Sequence, residues 1–470
     1  MIRVGAQHES AVVIPILRRG GGRFLTAALL AITVAACGGP TPSPAGSSVG
    51  VSAIPASPGG SSSAPAGPDG SPSAAPSAAA VSRTVAEIAR LKALVTADPT
   101  NGDAQRDLGF ALTQRVRETA DPSLYAPAMA AFEAALAIQP GDAMALVGVA
   151  GIQLGKHQFA DALVTARKAI ALSPSLVSGH AAEVDALVEL GRYDDADVAA
   201  GLMFGLSSDL STLARVSYLA ELRGHLAAAL SAMRQAAAAP GLAPENTAYV
   251  EALLGNLFVY SGDPAAAATA YGDALALVPG HAPSLAGEGR LAVGAGRLED
   301  AIKIFGRAAA IVPLPEYVIA LGDAQATAGQ ADAAAKSYEL ARAEIQLFKA
   351  AGVIVDVDLA LLEADHGDPA AALKYATAAY GATPTVRAAD ALAWALHRLG
   401  RDREALKHSN EALRLGSIDP ILRYHAGAIE AALGDGVAAR RDLGLALKTD
   451  PGFSASGAAE ARRLLDTLPS

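Results

Sequence analysis

Residues 254–313 read LGNLFVYSGDPAAAATAYGDALALVPGHAPSLAGEGRLAVGAGRLEDAIKIFGRAAAIVP, and the second half of this stretch repeats the first in side-chain size. Gly255, Gly262, Ala267, Tyr271, Ala274 and Pro279 return as Gly289, Gly296, Ala301, Phe305, Ala308 and Pro313, every pair 34 residues apart. A third copy comes at a spacing of 33, with Gly322, Gly329, Ala334, Tyr338 and Ala341. A fixed period of this length marks supersecondary units that bury their apolar faces only by stacking on one another. Each residue type has a physical task. The first glycine lets two antiparallel helices approach closely. The second ends the first helix, where a left-handed cap favours glycine. Two alanines keep the second helix thin, and the aromatic between them fills the space between neighbouring units. Proline then stops the second helix.

The pattern extends in both directions. Phe132, Ala135 and Pro140 close a first unit opened by Leu108 and Gly109, with a short insertion around residues 121–125. Pro174 lies 34 residues after Pro140; Gly191, Tyr193 and Ala196 mark a third unit, and Gly224 with Ala229 a degenerate fourth. Beyond a long second helix through Lys349, Gly367, Ala372, Ala379 and Pro384 form an eighth. Gly400, Ala405 and Ala412 give a ninth, and Gly434, Ala439, Ala446 and Pro451 a tenth. Helices over about 85–97 and 458–468 flank the array. This pattern resembles the tetratricopeptide repeat over roughly residues 83–470. The resemblance implies an all-α fold, a right-handed superhelical solenoid of about ten helix pairs with a C-terminal capping helix. The first helices would line a concave groove, and the array would make close to one superhelical turn.

Composition agrees with close-packed helices. Hydrophobic residues make up 51% of the 470 but aromatics only 4%, so alanine, the best helix former, supplies much of the apolar surface. A net charge of -10 and the lack of any basic run interleaved with aromatics argue against nucleic acid. The single cysteine, Cys37, excludes a disulfide framework within one chain.

Cys37 is informative through its place. Arg18, Arg19 and Arg23 precede an apolar run over 24–36, too short for a spanning helix of ~20 residues and shaped like a secretory signal. Val34-Ala35-Ala36-Cys37 resembles the bacterial lipobox, which implies cleavage before Cys37 and its lipidation. An ordinary signal with an incidental cysteine is the alternative. The stretch before Phe24 is long for such a leader and carries its own apolar segment, so translation is also compatible with a start near Val12 or Val13. Residues 38–82 are almost entirely Gly, Pro, Ser, Ala and Thr, a composition that cannot offset its ordering entropy and reads as a disordered tether. The expected division is a signal peptide over 1–36, a tether over 37–82 and the solenoid over 83–470. Gly38 is not the aspartate that retains lipoproteins at an inner membrane. The anchored protein is therefore expected at an outer membrane, or on the outer face of the plasma membrane.

Catalytic patterns occur only out of context. Gly46-Ser47-Ser48-Val49-Gly50 fits a nucleophile elbow but lies in the tether. Gly287-Glu288-Gly289 opens a dinucleotide-like fingerprint inside a repeat helix, with no strand before it. No His-Glu-x-x-His motif is present, and Asp365-His366-Gly367-Asp368 reads as a solvated turn between helices. No enzyme, metal or cofactor is expected.

The groove-facing positions of the first helices define the candidate binding residues. Tyr218, Glu221, Tyr249, Asn256, Tyr260 and Arg290 form one cluster, and Arg387, Trp394, His397, Arg398 and Tyr424 a second. Tyr, Trp and Arg are enriched at binding hot spots. Packing between adjacent repeats is the competing role for the aromatics, Trp394 above all. The lysine and asparagine pattern by which some family members clamp a C-terminal carboxylate is missing. These features suggest a scaffold holding a protein or peptide partner in the groove, joined to a membrane through Cys37. A groove for a small molecule or glycan is the alternative. A deep closed pocket would favour that reading, and an open channel the peptide.

Overall fold

The computed structural model describes residues 78–239 and 244–468, and the signal, Cys37 and nearly all of the tether lie outside them. The described residues form twenty-two α-helices and one 3-10 turn. Helix α1 spans Ala78–Ala97, beginning inside the stretch assigned to the tether. Ten antiparallel pairs come after it. They are α2 and α3 (Gly102–Thr119, Tyr125–Ile138), α4 and α5 (Ala143–Gly155, Phe159–Leu172), α6 and α7 (Val177–Glu189, Tyr193–Leu206), and α8 and α9 (Leu210–Leu222, Leu226–Ala237). Next come α10 and α11 (Pro244–Tyr260, Pro264–Leu277), α12 and α13 (Ala282–Gly294, Leu298–Ile311), and α14 and α15 (Pro315–Thr327, Ala331–Ala350). The last pairs are α16 and α17 (Asp356–His366, Pro369–Ala382), α18 and α19 (Val386–Arg398, Asp402–Ala412), and α20 and α21 (Pro420–Ala432, Gly436–Thr449), with α22 (Ala455–Thr467) beyond them. The insertion around 121–125 is the 3-10 turn Pro122–Leu124.

The repeat residues do the work their types imply. Tyr271 is 0% exposed, and its ring lies over Gly255 of its own pair and Gly287 of the next. A Cβ at those glycines would sit 2.4 and 2.3 Å from the ring. Phe132 lies in the same way over Gly109 and Gly148, and Phe305 over Gly289. The Gly-x-Gly of residues 287–289 is thus two seats for two rings, Tyr271 on one and Phe305 on the other. Ala267, Ala274, Ala301 and Ala308 have no accessible surface. Aspartates cap first turns: Asp142 accepts from the Ala145 amide and Asp263 from the Ala266 amide, both at 2.9 Å.

The second glycines adopt the left-handed conformation, with φ of 77° at Gly262, 73° at Gly296 and 78° at Gly329. Gly367 does not. Its φ is −149°, and glycine is required there because a Cβ would collide with the Glu363 carboxylate, which accepts from the Asp368 amide. In the second pair His157 takes the left-handed place at φ 57°.

His157 introduces the feature that the period does not contain: one pass of the superhelix rests on the next. Its Nδ1 donates to the Ile354 carbonyl at 2.6 Å, and the Ile354 amide donates to the Lys156 carbonyl at 3.2 Å. The turn between α4 and α5 therefore sits on the loop between α15 and α16. One pair further on, the Val386 amide donates to the Tyr193 hydroxyl at 3.2 Å, and the Arg414 guanidinium covers the Tyr193 ring at 5.3 Å. At the far end Gly452 lies against the Arg290 carbonyl, with no space for a Cβ, and Ser454 donates to Asp323 at 3.0 Å. Helix α22 is thus more than a cap, since it packs on α14 as well as on α20 and α21. Leu187, Leu219 and Leu222 share one apolar core with Val386, Leu413 and Leu422. Burying each such side chain contributes roughly 1.5–3 kcal/mol, enough for the seam to hold the passes together. The concave side is consequently the inside of a walled channel.

Candidate functional site

The first helices bring one set of polar side chains to this inner face. Tyr218 and Glu221 stand on α8, Tyr249, Asn256 and Tyr260 on α10, and Arg290 on α12, as the register predicts. The three tyrosines are half-buried, and among the described residues none of their rings stacks on another and none of their hydroxyls is hydrogen-bonded. Glu221 is 8% exposed, and its Oε1 has no hydrogen-bond partner. It lies within electrostatic reach of all three tyrosines and of Asp419. Burial, reinforced by Asp419, pushes its carboxyl up to about 8. The tyrosine hydroxyls are pushed upward by burial as well.

Asn256 and Arg290 are committed to structure. Asn256 Oδ1 accepts from Tyr271 at 2.7 Å and from Arg290 at 2.5 Å, and Arg290 also approaches Asp450 at 3.8 Å. They tie α10 and α12 to the following pass.

The second cluster does not stand as one site. Arg387 leaves it: the superhelix carries α18 across the channel, so Arg387 meets Asp358 at 2.8 Å and faces Glu189, Glu316 and Tyr218. Trp394 is 1% exposed and inaccessible to a ligand. It stacks on His425 with centroids 4.0 Å apart and on His397 at 4.9 Å, while its Nε1 donates to Asp365 at 2.7 Å. Tyr424 is buried beside it, His397 pairs with Asp402 at 2.5 Å, and Arg398 donates to the Ala364 carbonyl at 2.8 Å. These four residues are core and inter-repeat ties.

The turn at residues 365–368 is largely as expected. Asp365, Gly367 and Asp368 are exposed, whereas His366 stacks on Tyr338 at 3.7 Å and meets Asp323 at 3.0 Å. Asp365 and Glu316 are exposed, yet the protein around them raises both carboxyls.

Register alone would have found Glu189, Glu316 and Asp358, on first helices α6, α14 and α16, had charge been weighed with aromaticity. Burial pushes the Glu189 carboxyl up to about 7, against the pull of Arg387. Burial raises Glu316 too, opposed by the neighbouring Tyr317 and by Arg387. Toward the N-terminal end the inner face carries a small pocket lined by Phe110, Thr113, Gly151 and Arg215 among others. Arg215 is held there by Asp185 at 2.8 and 2.6 Å. Among the described residues no group of three His, Cys, Asp or Glu could hold a metal ion, and no helix is long and apolar enough to cross a membrane.

The family model described as Tetratricopeptide repeat matches residues 258–324, the stretch where ring and glycine alternate most regularly. The fold is a tetratricopeptide repeat solenoid. No curated protein matches the chain. Among solved structures, it is similar to the human IFIT1 dimer with PPP-AAAA at 14% identity, covering 66% of this chain and 72% of that one with a TM-score of 0.43. A tetratricopeptide repeat protein from Parabacteroides merdae ATCC 43184 is 17% identical, with 55% and 99% of the two chains covered and a TM-score of 0.32. YrrB, described as a TPR protein with an unusual peptide-binding site, is 17% identical, with 39% and 92% covered and a TM-score of 0.27. The tetratricopeptide repeat fold supports a protein-interaction scaffold in general terms.

Proposed function

We propose that the protein is a non-catalytic, lipid-anchored scaffold on the extracytoplasmic side of a bacterial membrane, holding an extended segment of a partner inside the channel. The observation that carries the reading is the inner face itself. Tyr218, Tyr249 and Tyr260 present hydroxyls without a hydrogen-bond partner there, while the Tyr218 and Tyr260 rings pack on the neighbouring apolar core, beside a buried carboxyl whose Oε1 has no donor. Contact between successive passes leaves no open cleft for a globular domain, whereas an extended chain needs only a narrow path. The pocket at the N-terminal end is small, which leaves a small molecule or glycan little room. Trp394, on which sugar stacking would have relied, is buried.

The anchor rests on sequence. The basic flank, the short apolar run and Cys37 make a lipoprotein signal, and residues 38–77 supply length to hold the solenoid away from the lipid surface. Two or more acyl chains on Cys37 give stable attachment. An outer membrane, or the outer face of the plasma membrane, is the destination that Gly38 supports, and assembly of an envelope complex is the role we assign. Pull-down from detergent-solubilised membranes under mild crosslinking tests the scaffold, and recovery of the bait alone counts against it. Labelling with radioactive palmitate tests the anchor. Label should enter the wild-type chain and be lost in Cys37→Ser; unlabelled wild type would remove the anchor.

A further inference from the structure

The charges on the inner face do not balance. Arg215 pairs with Asp185, Arg290 approaches Asp450, and Arg387 pairs with Asp358. Glu189, Glu221 and Glu316 remain as carboxyl groups without an ion-pair partner of their own. Arg387 attracts Glu189 and Glu316 from across the channel, but its close contact is Asp358. Glu221 is the sharpest case, because it is more than nine-tenths buried and its Oε1 meets no donor in the folded chain. A buried polar atom left unpaired costs about 1–3 kcal/mol, so the folded chain carries a penalty that a donor arriving from outside would remove. Tyr218, Tyr249 and Tyr260 lie within electrostatic reach of that carboxyl. A carboxylate among tyrosine side chains is an environment that attracts ammonium and guanidinium groups. Phosphates, by contrast, would face the unpaired glutamates.

We propose that the occupant of the channel is an extended polypeptide segment rich in lysine or arginine. Its cationic heads meet Glu221, Glu189 and Glu316, and its aliphatic stems lie along Tyr218, Tyr249 and Tyr260. This deepens the scaffold reading and rests on it. The groups facing Glu221 are Asp419 from the loop before α20, Tyr218 from its own helix, and Tyr249 and Tyr260 from α10. None of them is a cation, so an arriving ammonium is the group that lets Glu221 ionise. Binding therefore strengthens as pH rises through neutrality.

The test uses the full chain in detergent and a fluorescent hexalysine peptide, read by anisotropy at low salt. Wild type should bind, at least tenfold more tightly than the Glu189→Gln/Glu221→Gln double variant and several-fold more tightly than Glu316→Gln. Glu133→Gln, on the exposed side of α3, should bind as wild type. Wild-type affinity should rise several-fold between pH 6 and pH 8.5, Glu221→Gln should reduce that rise, and the Glu189→Gln/Glu221→Gln double variant should flatten it. The glutamine variants keep the side-chain shape, and circular dichroism confirms that each is folded. Hexalysine binding equally to wild type and the double variant overturns the proposal. A neutral Gly-Ser-Asn peptide that binds as tightly as hexalysine overturns the charge preference but leaves the channel a peptide site. Spermine binding without hexalysine overturns the polypeptide occupant, and no binding of any probe overturns this inference together with the scaffold reading.

Discussion

The inner faces of α8 and α10 and those of α18 and α20 carry aromatic and charged side chains in corresponding places, yet the two regions end differently. On α8 and α10, Tyr218, Tyr249 and Tyr260 keep their rings apart around an unpaired carboxyl. On α18 and α20, Trp394, Tyr424 and His425 collapse onto one another, and Asp390 closes the set by accepting from His425 Nδ1 at 2.9 Å. The cause of the difference is the next element that the chain lays against each region. Tyr424 lies beside Phe453, just ahead of α22, at a centroid distance of 5.6 Å, and α22 packs down on α20. Helices α8 and α10 instead pack mainly on their neighbours in sequence, and the following pass reaches α8 through the core around Leu219 and Leu222. Register along a repeat decides which side a residue occupies, and neighbours remote in sequence decide whether that side is filled.

The largest effect should separate the two regions by stability. Trp394→Ala removes a ring buried on both faces together with its hydrogen bond to Asp365, so it should cost about 3–5 kcal/mol in urea denaturation. Tyr249→Ala, whose ring has no partner, should cost about 1 kcal/mol or less. Equal losses would break the distinction between core and channel.

How much was legible follows the same division. The glycine, alanine and aromatic positions are local facts, each satisfied within two adjacent pairs, so residues 254–313 disclose the fold without any knowledge of distant contacts. Tyr218, Glu221, Tyr249 and Tyr260 were placed by the same counting. Trp394 and Arg387 were not, because the fate of each depends on the superhelix bringing other pairs beside it. Nothing periodic announces that Arg387 faces Glu189 or that Tyr193 meets Val386. His157 was the one local hint, a bulky residue in a place where the regular repeats have glycine.

A second test concerns charge, with its sign fixed by the direction of the shift. Glu221 is held up to about 8, so between its ordinary 4.5 and that value the folded chain binds more protons than the unfolded one. Stability on its account is therefore full near pH 4.5 and falls as pH rises to 8. At about 1.36 kcal/mol per pKa unit, Glu221→Gln should stabilise the ligand-free protein by on the order of 4–5 kcal/mol at pH 8.5 and by almost nothing at pH 4.5. Urea midpoints at the two pH values measure it. A variant no more stable than wild type at pH 8.5 would mean that Glu221 is already neutralised, and the comparison with the closed region would lose its electrostatic side.

The contact between passes should yield a smaller number. Tyr193 is 5% exposed, and its hydroxyl is the acceptor for the Val386 amide. Tyr193→Phe keeps the ring and removes the acceptor, which should cost about 1–3 kcal/mol for an unpaired buried amide. Hydrogen exchange at Val386 should accelerate. Exchange unchanged from wild type would show that the passes are held by the leucine seam alone.

The smallest effect is the most particular. His157 holds a left-handed backbone that costs a non-glycine residue roughly 1–2 kcal/mol, and it recovers a hydrogen bond to Ile354 worth about 0.5–1.5 kcal/mol. His157→Gly relieves the first and forfeits the second, so net stability should change by less than about 1 kcal/mol while the join between passes weakens. Small-angle scattering should then show a longer, looser particle at almost unchanged stability. A particle of wild-type dimensions would mean that the remaining joins at Tyr193 and Gly452 suffice, and that a histidine at this position serves the local turn and not the closure of the channel.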